Sequence, residues 1–353
     1  MMIRRLVSGI MICIGAMFLA SYDLSAQRNG DYESVRIAAI RLQQENDSLR
    51  MELRKYQSST EFSSWDALSG LDPDVDVDGF SGFGNVLSGS DRELMSQIYK
   101  ACPSIGGIGY DKSIREQIEN FTERRRKTMS FALARYREYY PRFSGIFKSY
   151  GIPEDVAALV IVESAVSVKA LSPVGAAGMW QLMPETALRF GLRVDDEIDE
   201  RYDPVASCQA AARYMKSMHA QFGNWILAVA AYNCGPGNVR RALSRAGANA
   251  GLWDVVRYLP LETRGYVPAF VAARYVLYYA NELEFIQRKV AKPLPYRVKI
   301  TGGVHVASLC EDMGITVQSF RDANPHIKNT VDVLPGCNVY LSESSYRKIK
   351  NSK

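Results

Sequence analysis

A single glutamate at the end of an apolar run is the residue whose chemistry stands out in this sequence. Glu163 follows Val156–Val162, an apolar stretch that predicts a buried helix. A carboxyl group is rarely buried without a partner, and apolar surroundings favour its neutral form and so raise its pKa. A glutamic acid that is still protonated near neutral pH can donate that proton to a leaving group. The stretch alone leaves open a general acid at Glu163 or a solvated carboxyl at a helix end.

One carboxyl group limits the reactions that Glu163 could catalyse. Glycosidases usually need two carboxylates, one as acid and one as base or nucleophile. A single carboxyl suffices when the substrate supplies the nucleophile, as the 6-hydroxyl of a muramic acid residue can do. The same carboxyl would then act first as acid and afterwards as base, and the attack within one molecule would gain from high effective concentration.

The segments around Glu163 are predicted to be helices. Between residues 113 and 288 no segment has a strand-like period of two, which predicts an all-α domain. Pro153 and the acidic pair after it suit the first turn of the helix that ends at Glu163. The other predicted helices cover residues 113–140 (ended by Pro141), 184–190, 204–222 (capped by Asp203), 224–232, 238 onward, and 261–279.

The pattern changes after Pro295. Residues 296–300 predict a strand, and residues 334–341 predict a turn and a closing strand. Residues 306–313 and 317–323 predict two short helices between them. We therefore predict a mainly α fold class, with a helical catalytic domain over residues 111–290 and a small C-terminal βααβ domain over residues 295–343.

The N-terminal region predicts export. Arg4 and Arg5, the apolar run Leu6–Ala20 and the small residues before Gln27 are typical of a signal peptide over residues 1–26. An uncleaved anchor is the alternative. We expect a protein of the periplasm or cell envelope. Residues 58–110, rich in Ser, Gly and Asp, predict a linker and irregular segment.

Residues 27–57 contain a short heptad pattern. From Val35 to Tyr56 apolar residues recur at alternating spacings of four and three, with Asn46 at an a position. An Asn at a can fix register and oligomer state. The pattern predicts either a weak homo-oligomer through residues 35–56 or a lone amphipathic helix.

Composition bounds the partners. Of the 353 residues, 47% are hydrophobic and 23% charged, which is ordinary for a globular protein. The net charge of +5 suits an anionic polymer such as a cell wall and is too small to indicate nucleic acid. Asp74–Gly79 resembles the start of a calcium loop, but its twelfth position is Asn85. The three histidines are scattered, and we predict no metal and no cofactor.

Cysteine usage is compatible with export. Removal of Cys13 with the signal peptide leaves five cysteines, an odd number. Cys310 could pair with Cys337, and Cys208 with Cys234.

Four motifs extend the interpretation of Glu163. Their order along the chain resembles that of the lytic transglycosylases with a goose-type-lysozyme-like (SLT) catalytic domain, and the resemblance covers roughly residues 110–285. The motifs are Glu163-Ser164, Gly175–Pro184 with Ser172 before it, Ala231–Gly237 and Glu262–Pro268.

The resemblance implies an enzyme that cleaves the bond between N-acetylmuramic acid and N-acetylglucosamine and leaves 1,6-anhydromuramic ends. It implies that Glu163 is the acid and base, without a cofactor, and that peptidoglycan glycan strands are the partner. The substrate-binding residues that it implies are Ser164, Ser172, Met179, Gln181, Tyr232, Asn233, Glu262 and Tyr266. Each of these side chains could instead pack or make hydrogen bonds within the fold, and Met179 in particular favours packing beneath the cleft.

Two other functions stay open at this point. A lysozyme-type hydrolase would need a second carboxylate, for which Glu262 is the motif residue available and Asp203 a remoter candidate. A wall-binding scaffold without catalysis is the second alternative.

The C-terminal unit resembles a LysM module, which binds glycans that contain N-acetylglucosamine. Ala323-Asn324-Pro325 and Leu334-Pro335-Gly336 carry this resemblance, whereas Thr301–Val304 replaces the usual Gly-Asp-Thr-Leu. Glycan binding by this unit and a purely structural role both stay open.

Overall fold

The computed structural model describes residues 91–105, 108–247 and 250–351. The predicted signal peptide, the heptads of residues 35–56, the calcium-like segment and most of the predicted linker lie outside these residues. Within the three ranges, no helix combines the length and the apolar character that crossing a lipid bilayer requires.

Helices build the part of the chain before residue 290. The α-helices are α1 (Asp91–Ala101), α2 (Lys112–Glu119), α3 (Arg126–Ser149), α4 (Leu159–Ser164), α5 (Pro184–Arg189), α6 (Pro204–Phe222), α7 (Trp225–Cys234), α8 (Pro236–Ala246), α9 (Leu252–Val256) and α10 (Leu261–Tyr278). Short 3-10 turns at Pro103–Ile105, Glu154–Ala158 and Glu200–Tyr202 and a π-helical turn at Asn120–Arg124 join some of them. This confirms the predicted mainly α fold class.

The helix predicted over residues 113–140 is interrupted in the structure and ends later than predicted. The π-helical turn interrupts it, and α3 then continues through Pro141 to Ser149. An internal proline removes one helix hydrogen bond. The residues around it remain packed: the Tyr139 and Phe143 rings stack across the proline, with centroids 5.8 Å apart. Phe143 is fully buried, so the last turns of α3 belong to the core.

Helix α1 lies within the segment predicted to be irregular. Leu94, Ile98 and Ala101 point into the main core, and Ile98 is fully buried. The Arg274 side chain on α10 donates a hydrogen bond to the Ala101 carbonyl at 2.8 Å. Residues 91–101 thus form a helix that packs on the helical domain.

The core centres on α4, α7 and α10, whose apolar residues are buried on nearly all sides. Trp180 lies between two rings of α3, with centroids 5.3 Å from Phe143 and 5.2 Å from Phe147. Each such aromatic contact adds roughly 0.5–1.5 kcal/mol beyond area burial. The segment around Trp180 is therefore held firmly against α3.

The C-terminal module, residues 295–351, is the predicted βααβ unit with two additions. Its elements are β1 (Tyr296–Ile300), β2 (Val304–His305), α11 (Val306–Met313), α12 (Val317–Ala323), β3 (Val333–Leu334), β4 (Cys337–Leu341) and α13 (Glu343–Asn351). β1 pairs antiparallel with β4 in the register Tyr296↔Leu341 to Ile300↔Cys337. The β2–β3 pair and α13 are the additions.

The suggested disulfides are absent from the described residues, where no two cysteines are bonded. Cys208, Cys310 and Cys337 are instead buried as small apolar side chains. Burial raises the pKa of the Cys337 thiol to about 11, which disfavours the reactive thiolate.

Candidate active site

Glu163 stands at the last turn of α4, where the backbone leaves the helix abruptly. The 3-10 turn Glu154–Ala158 leads into α4, and Ala165 and Val166 after it both adopt left-handed conformations, with φ of 50° and 60°. Such a conformation is strained for a residue other than glycine, above all for a β-branched one. Both side chains are buried, and the Arg135 guanidinium donates to the Ala165 carbonyl at 3.3 Å. Packing thus holds a strained turn directly behind the glutamate.

The carboxyl group of Glu163 is prepared to hold a proton. Its pKa is raised from 4.5 to about 8, mainly by burial. The Tyr266 hydroxyl donates a hydrogen bond to Oε1 and lowers the pKa in part, while the negative charge of nearby Glu262 raises it further. Because the burial effect is the largest, Glu163 is mostly neutral at pH 7. A neutral carboxyl can act as a general acid.

Helix α10 supplies two of the neighbours of Glu163. Tyr266 and Glu262 are four residues apart and so lie on one face of α10. Tyr266 is buried, and burial next to Glu163 raises its phenol pKa well above the usual value. Glu262 is exposed. Between them, the buried Thr263 donates a hydrogen bond to Asn233 Oδ1 at 2.8 Å, which fixes the amide at the end of α7.

Residues 170–183 form a loop that is tied to both α4 and α7. The Ser164 hydroxyl donates to the Met179 carbonyl at 2.8 Å, and the Tyr232 hydroxyl donates to the Trp180 carbonyl at 2.7 Å. Ala177 and Leu182 exchange backbone hydrogen bonds across the loop. The loop is therefore fixed by hydrogen bonds to Ser164 and Tyr232 and by the packing of Trp180 against α3.

Gln181 lies at the turn of this loop with φ of 47°. Its amide donates to the Gly178 carbonyl at 2.8 Å, so a local hydrogen bond fixes the side chain. Gly178 itself has φ of 75°, and a Cβ there would lie 1.8 Å from the Arg201 carbonyl oxygen. Only glycine fits at that point of the loop.

Arg201, which lies outside the four motifs, makes hydrogen bonds that hold the loop in place. Arg201 Nη1 donates to the carbonyls of Gly175 at 2.7 Å and Leu182 at 3.2 Å. Its Nε and Nη2 donate to the two carboxylate oxygens of Asp199 at 2.9 and 2.7 Å. Both side chains are about 9% exposed. The one sequence feature that could have indicated this pair is its position just before the Asp203 cap.

The structure brings together part of the predicted site. Tyr266 makes a hydrogen bond to Glu163. Tyr232 also lies near Glu163: burial is the main cause of its raised pKa, and the negative charge of Glu163 raises that pKa further. Glu262 lies near enough to raise the pKa of Glu163.

Other predicted site residues lie beneath the surface or within their own loop. Ser164 and Met179 are 0% and 1% exposed, so they support the loop from below and do not face a ligand in this conformation. Ser172 accepts a hydrogen bond from the Ala176 amide at 2.9 Å. That bond belongs to the Ser172 loop and makes no link to Glu163.

Comparison with known proteins shows which family model this region matches. Residues 146–252 match the family model described as "Transglycosylase SLT domain". Residues 146–252 are therefore similar to a transglycosylase SLT domain. The match includes Glu163, Gln181, Tyr232 and Asn233 and ends before Glu262, and it confirms the resemblance to the lytic transglycosylases.

Two curated relatives come from Escherichia coli (strain K12). Membrane-bound lytic murein transglycosylase D is 32% identical over 232 residues, which cover 64% of this chain and 50% of that protein. Soluble lytic murein transglycosylase is 33% identical over 207 residues, which cover 48% of this chain and 31% of that protein. The chain thus spans half the length, or less, of these curated relatives.

Two solved structures are also similar. The lytic transglycosylase Slt from Pseudomonas aeruginosa, in an inactive mutant, has 31% identity over 40% of this chain and 24% of its own, with a TM-score of 0.35. The 70 kDa soluble lytic transglycosylase from Escherichia coli has 24% identity over 76% of this chain and 48% of its own, with a TM-score of 0.35.

Proposed function

We propose that this chain is a peptidoglycan lytic transglycosylase, which cleaves the β-1,4 bond between N-acetylmuramic acid and N-acetylglucosamine and leaves a 1,6-anhydromuramic end. The observation that supports it most is the state of Glu163 within an SLT domain, with a pKa raised to about 8. At pH 7 such a group is about nine-tenths protonated. It can give a proton to a glycosidic oxygen without a metal or cofactor.

The reaction balances without water. Glu163 gives its proton to the glycosidic oxygen while the bond between that oxygen and the anomeric carbon breaks. The 6-hydroxyl oxygen of the muramic residue bonds to the same carbon, and its proton passes to the Glu163 carboxylate. The glutamate ends as it began. The hydrogen bond from Tyr266 stabilises the carboxylate that exists between the two proton transfers.

The other site residues receive roles that their positions allow. We assign contacts with the sugar to Ser172, Gln181, Tyr232, Asn233 and Glu262, which lie on or near the loops around Glu163. Ser164 and Met179 act through the loop that they support, as their burial requires.

The site also bears on where the protein acts. We place the catalytic domain at residues 111–290 and the LysM-like module at residues 295–343. The cell envelope is where peptidoglycan lies, and we place the protein there, exported through residues 1–26.

The test uses purified peptidoglycan and three forms of the full chain. We expect the wild type to release soluble glycan fragments and Glu163→Gln to lower the rate about 100-fold or more, the usual contribution of a general acid. Glu262→Gln is the matched control, since it removes the neighbouring exposed carboxylate, and we expect less than about tenfold loss.

Three results would contradict the proposal. Equal loss in both variants would favour a hydrolase with two carboxylates. An unchanged rate in Glu163→Gln would remove the role of Glu163. Binding of the wild type to peptidoglycan without release of fragments would favour a scaffold.

A further inference from the structure

The C-terminal module packs on one segment of the helical domain, residues 194–203, which we call the docking segment. Ile198 of this segment is 1% exposed and is part of the apolar core of the module. The Asp199 amide donates to the His326 carbonyl at 2.8 Å, and the Lys328 amide donates to the Glu197 carbonyl at 2.9 Å. The module is thus joined to the helical domain by core packing and by backbone hydrogen bonds.

A buried charge fixes the same junction. Asp203, 1% exposed, caps α6 through hydrogen bonds from the Val205 and Ala206 amides, both at 2.9 Å. Its other partners come from the module: Arg297 of β1 at 3.1 Å and the Tyr340 hydroxyl of β4 at 2.5 Å. Removal of such partners would leave a buried, unpaired carboxylate, which strongly destabilises the folded state. The exposed Lys169–Asp322 pair, at 2.8 Å, adds little to this junction.

The docking segment also holds the loop of the candidate active site. Asp199, whose amide binds the module, binds Arg201 with both carboxylate oxygens. Arg201 in turn donates to the carbonyls of Gly175 and Leu182, which flank the Gln181 turn. A continuous chain of buried polar contacts therefore leads from the module to the loop beside Glu163.

We infer that the C-terminal module is a brace for the active site. By docking on residues 194–203 it fixes Asp199 and Arg201. These two positioning residues in turn fix residues 175–182 of the active-site loop. This role differs from that of a glycan-binding module on a tether, because it acts through a fixed junction. The inference concerns the position of the loop, and only its kinetic test rests on the proposed function.

The test loosens the junction in the full chain. The double variant Arg297→Gln/Tyr340→Phe removes the charge and the hydroxyl that the module presents to Asp203, and the Phe ring keeps the size of the Tyr ring. Arg347→Gln is the matched control, because Arg347 pairs with Glu343 within α13, away from the junction. Amide hydrogen exchange is measured residue by residue by mass spectrometry.

In the double variant we expect the amides of Asp199 and Lys328, which bond across the junction, to exchange about tenfold faster or more. We expect the same acceleration at the loop amides of Ala177, Gly178 and Leu182. The control should match the wild type at all of these amides.

Two exchange results would overturn the inference. Faster exchange at the junction with an unchanged loop would mean that the module docks without bracing. Unchanged exchange at both places would mean that the Asp203 contacts do not hold the module.

A kinetic measurement tests the positioning role of Arg201. Arg201→Lys keeps the charge but cannot reach Asp199 and both carbonyls at once, so we expect kcat on glycan strands to fall about tenfold with KM nearly unchanged. A rise in KM alone would contradict positioning. If the wild type releases no fragments, the proposed function fails, and the exchange experiment still decides the inference.

Discussion

Substitution of Glu163 by Gln should make the protein more stable at alkaline pH. Folding raises the pKa of this carboxyl from 4.5 to about 8. Between these values the folded state binds more protons than the unfolded state, so stability falls as pH rises. The contribution of Glu163 is most favourable below pH 4.5 and is fully lost above pH 8. The glutamine side chain of the variant has no charge to bury, so it escapes this loss.

The pKa values set the size of the effect. A shift of 3.5 units corresponds to about 5 kcal/mol above pH 8, and the cost is already about 3 kcal/mol at pH 7 and about 1 kcal/mol at pH 5. Glu163 is partly exposed, so solvent reduces these values. We therefore expect the stability difference between variant and wild type to grow by about 2–4 kcal/mol from pH 5 to pH 9.

The assay is the free energy of unfolding from denaturant titrations of wild type and Glu163→Gln at pH 5, 7 and 9. Glu262→Gln is the control, and its difference from the wild type should change by less than about 1 kcal/mol, since an exposed carboxylate has little burial cost. A Glu163→Gln difference that is constant from pH 5 to pH 9 would refute the assignment of a raised pKa.

Three further predictions concern the site. Tyr266→Phe removes the hydrogen bond that lowers the Glu163 pKa, so the alkaline limb of the pH–rate profile should move to higher pH; an unmoved or lowered limb would contradict it. Ser164→Ala leaves the buried Met179 carbonyl without its donor and should lower the free energy of unfolding by about 1–3 kcal/mol in a denaturant titration, whereas no change would refute the support role. Gly178→Ala forces a Cβ against the Arg201 carbonyl and should cost more than about 3 kcal/mol by thermal unfolding. Gly175→Ala, with nothing within 4 Å of its Cβ, should cost only the backbone strain of about 1 kcal/mol, and equal losses would contradict the clash.

Local sequence rules predicted the helices whose ends are marked by capping residues or prolines. Asp203 followed by Pro204 predicted the start of α6, and the observed helix covers Pro204–Phe222. The helices of the module, α11 and α12, match their predicted bounds of 306–313 and 317–323. Caps, prolines and apolar periods decide such elements without reference to distant residues.

Tertiary packing decided the elements that the sequence did not predict. Pro141 does not end α3, and the turns after it are packed in the core through the buried Phe143 and Phe147. Helix α1 follows a stretch rich in Gly and Ser, and its last residue accepts a hydrogen bond from a distant partner, Arg274 of α10. Neither contact can be inferred from a short segment of sequence.

The candidate site was predictable as far as its motifs carry chemistry. The apolar run that ends in Glu163 indicated a raised pKa as one of two alternatives, and Tyr266, one of the motif residues, lies beside Glu163. The hydrogen bonds from Arg201 to the loop were not predictable, because both acceptors are backbone carbonyls, which every sequence contains. The burial of Ser164 likewise depends on the packed loop above it.

The central claim is that the muramic residue supplies its own nucleophile while Glu163 transfers the proton. The most direct measurement digests peptidoglycan with the wild type in ¹⁸O-labelled water and determines the mass of the released fragments. The account predicts fragments lighter by one water than hydrolysis products, with no ¹⁸O at the new chain end. Fragments with an ordinary reducing end that contain one ¹⁸O atom would contradict it and would make water the nucleophile.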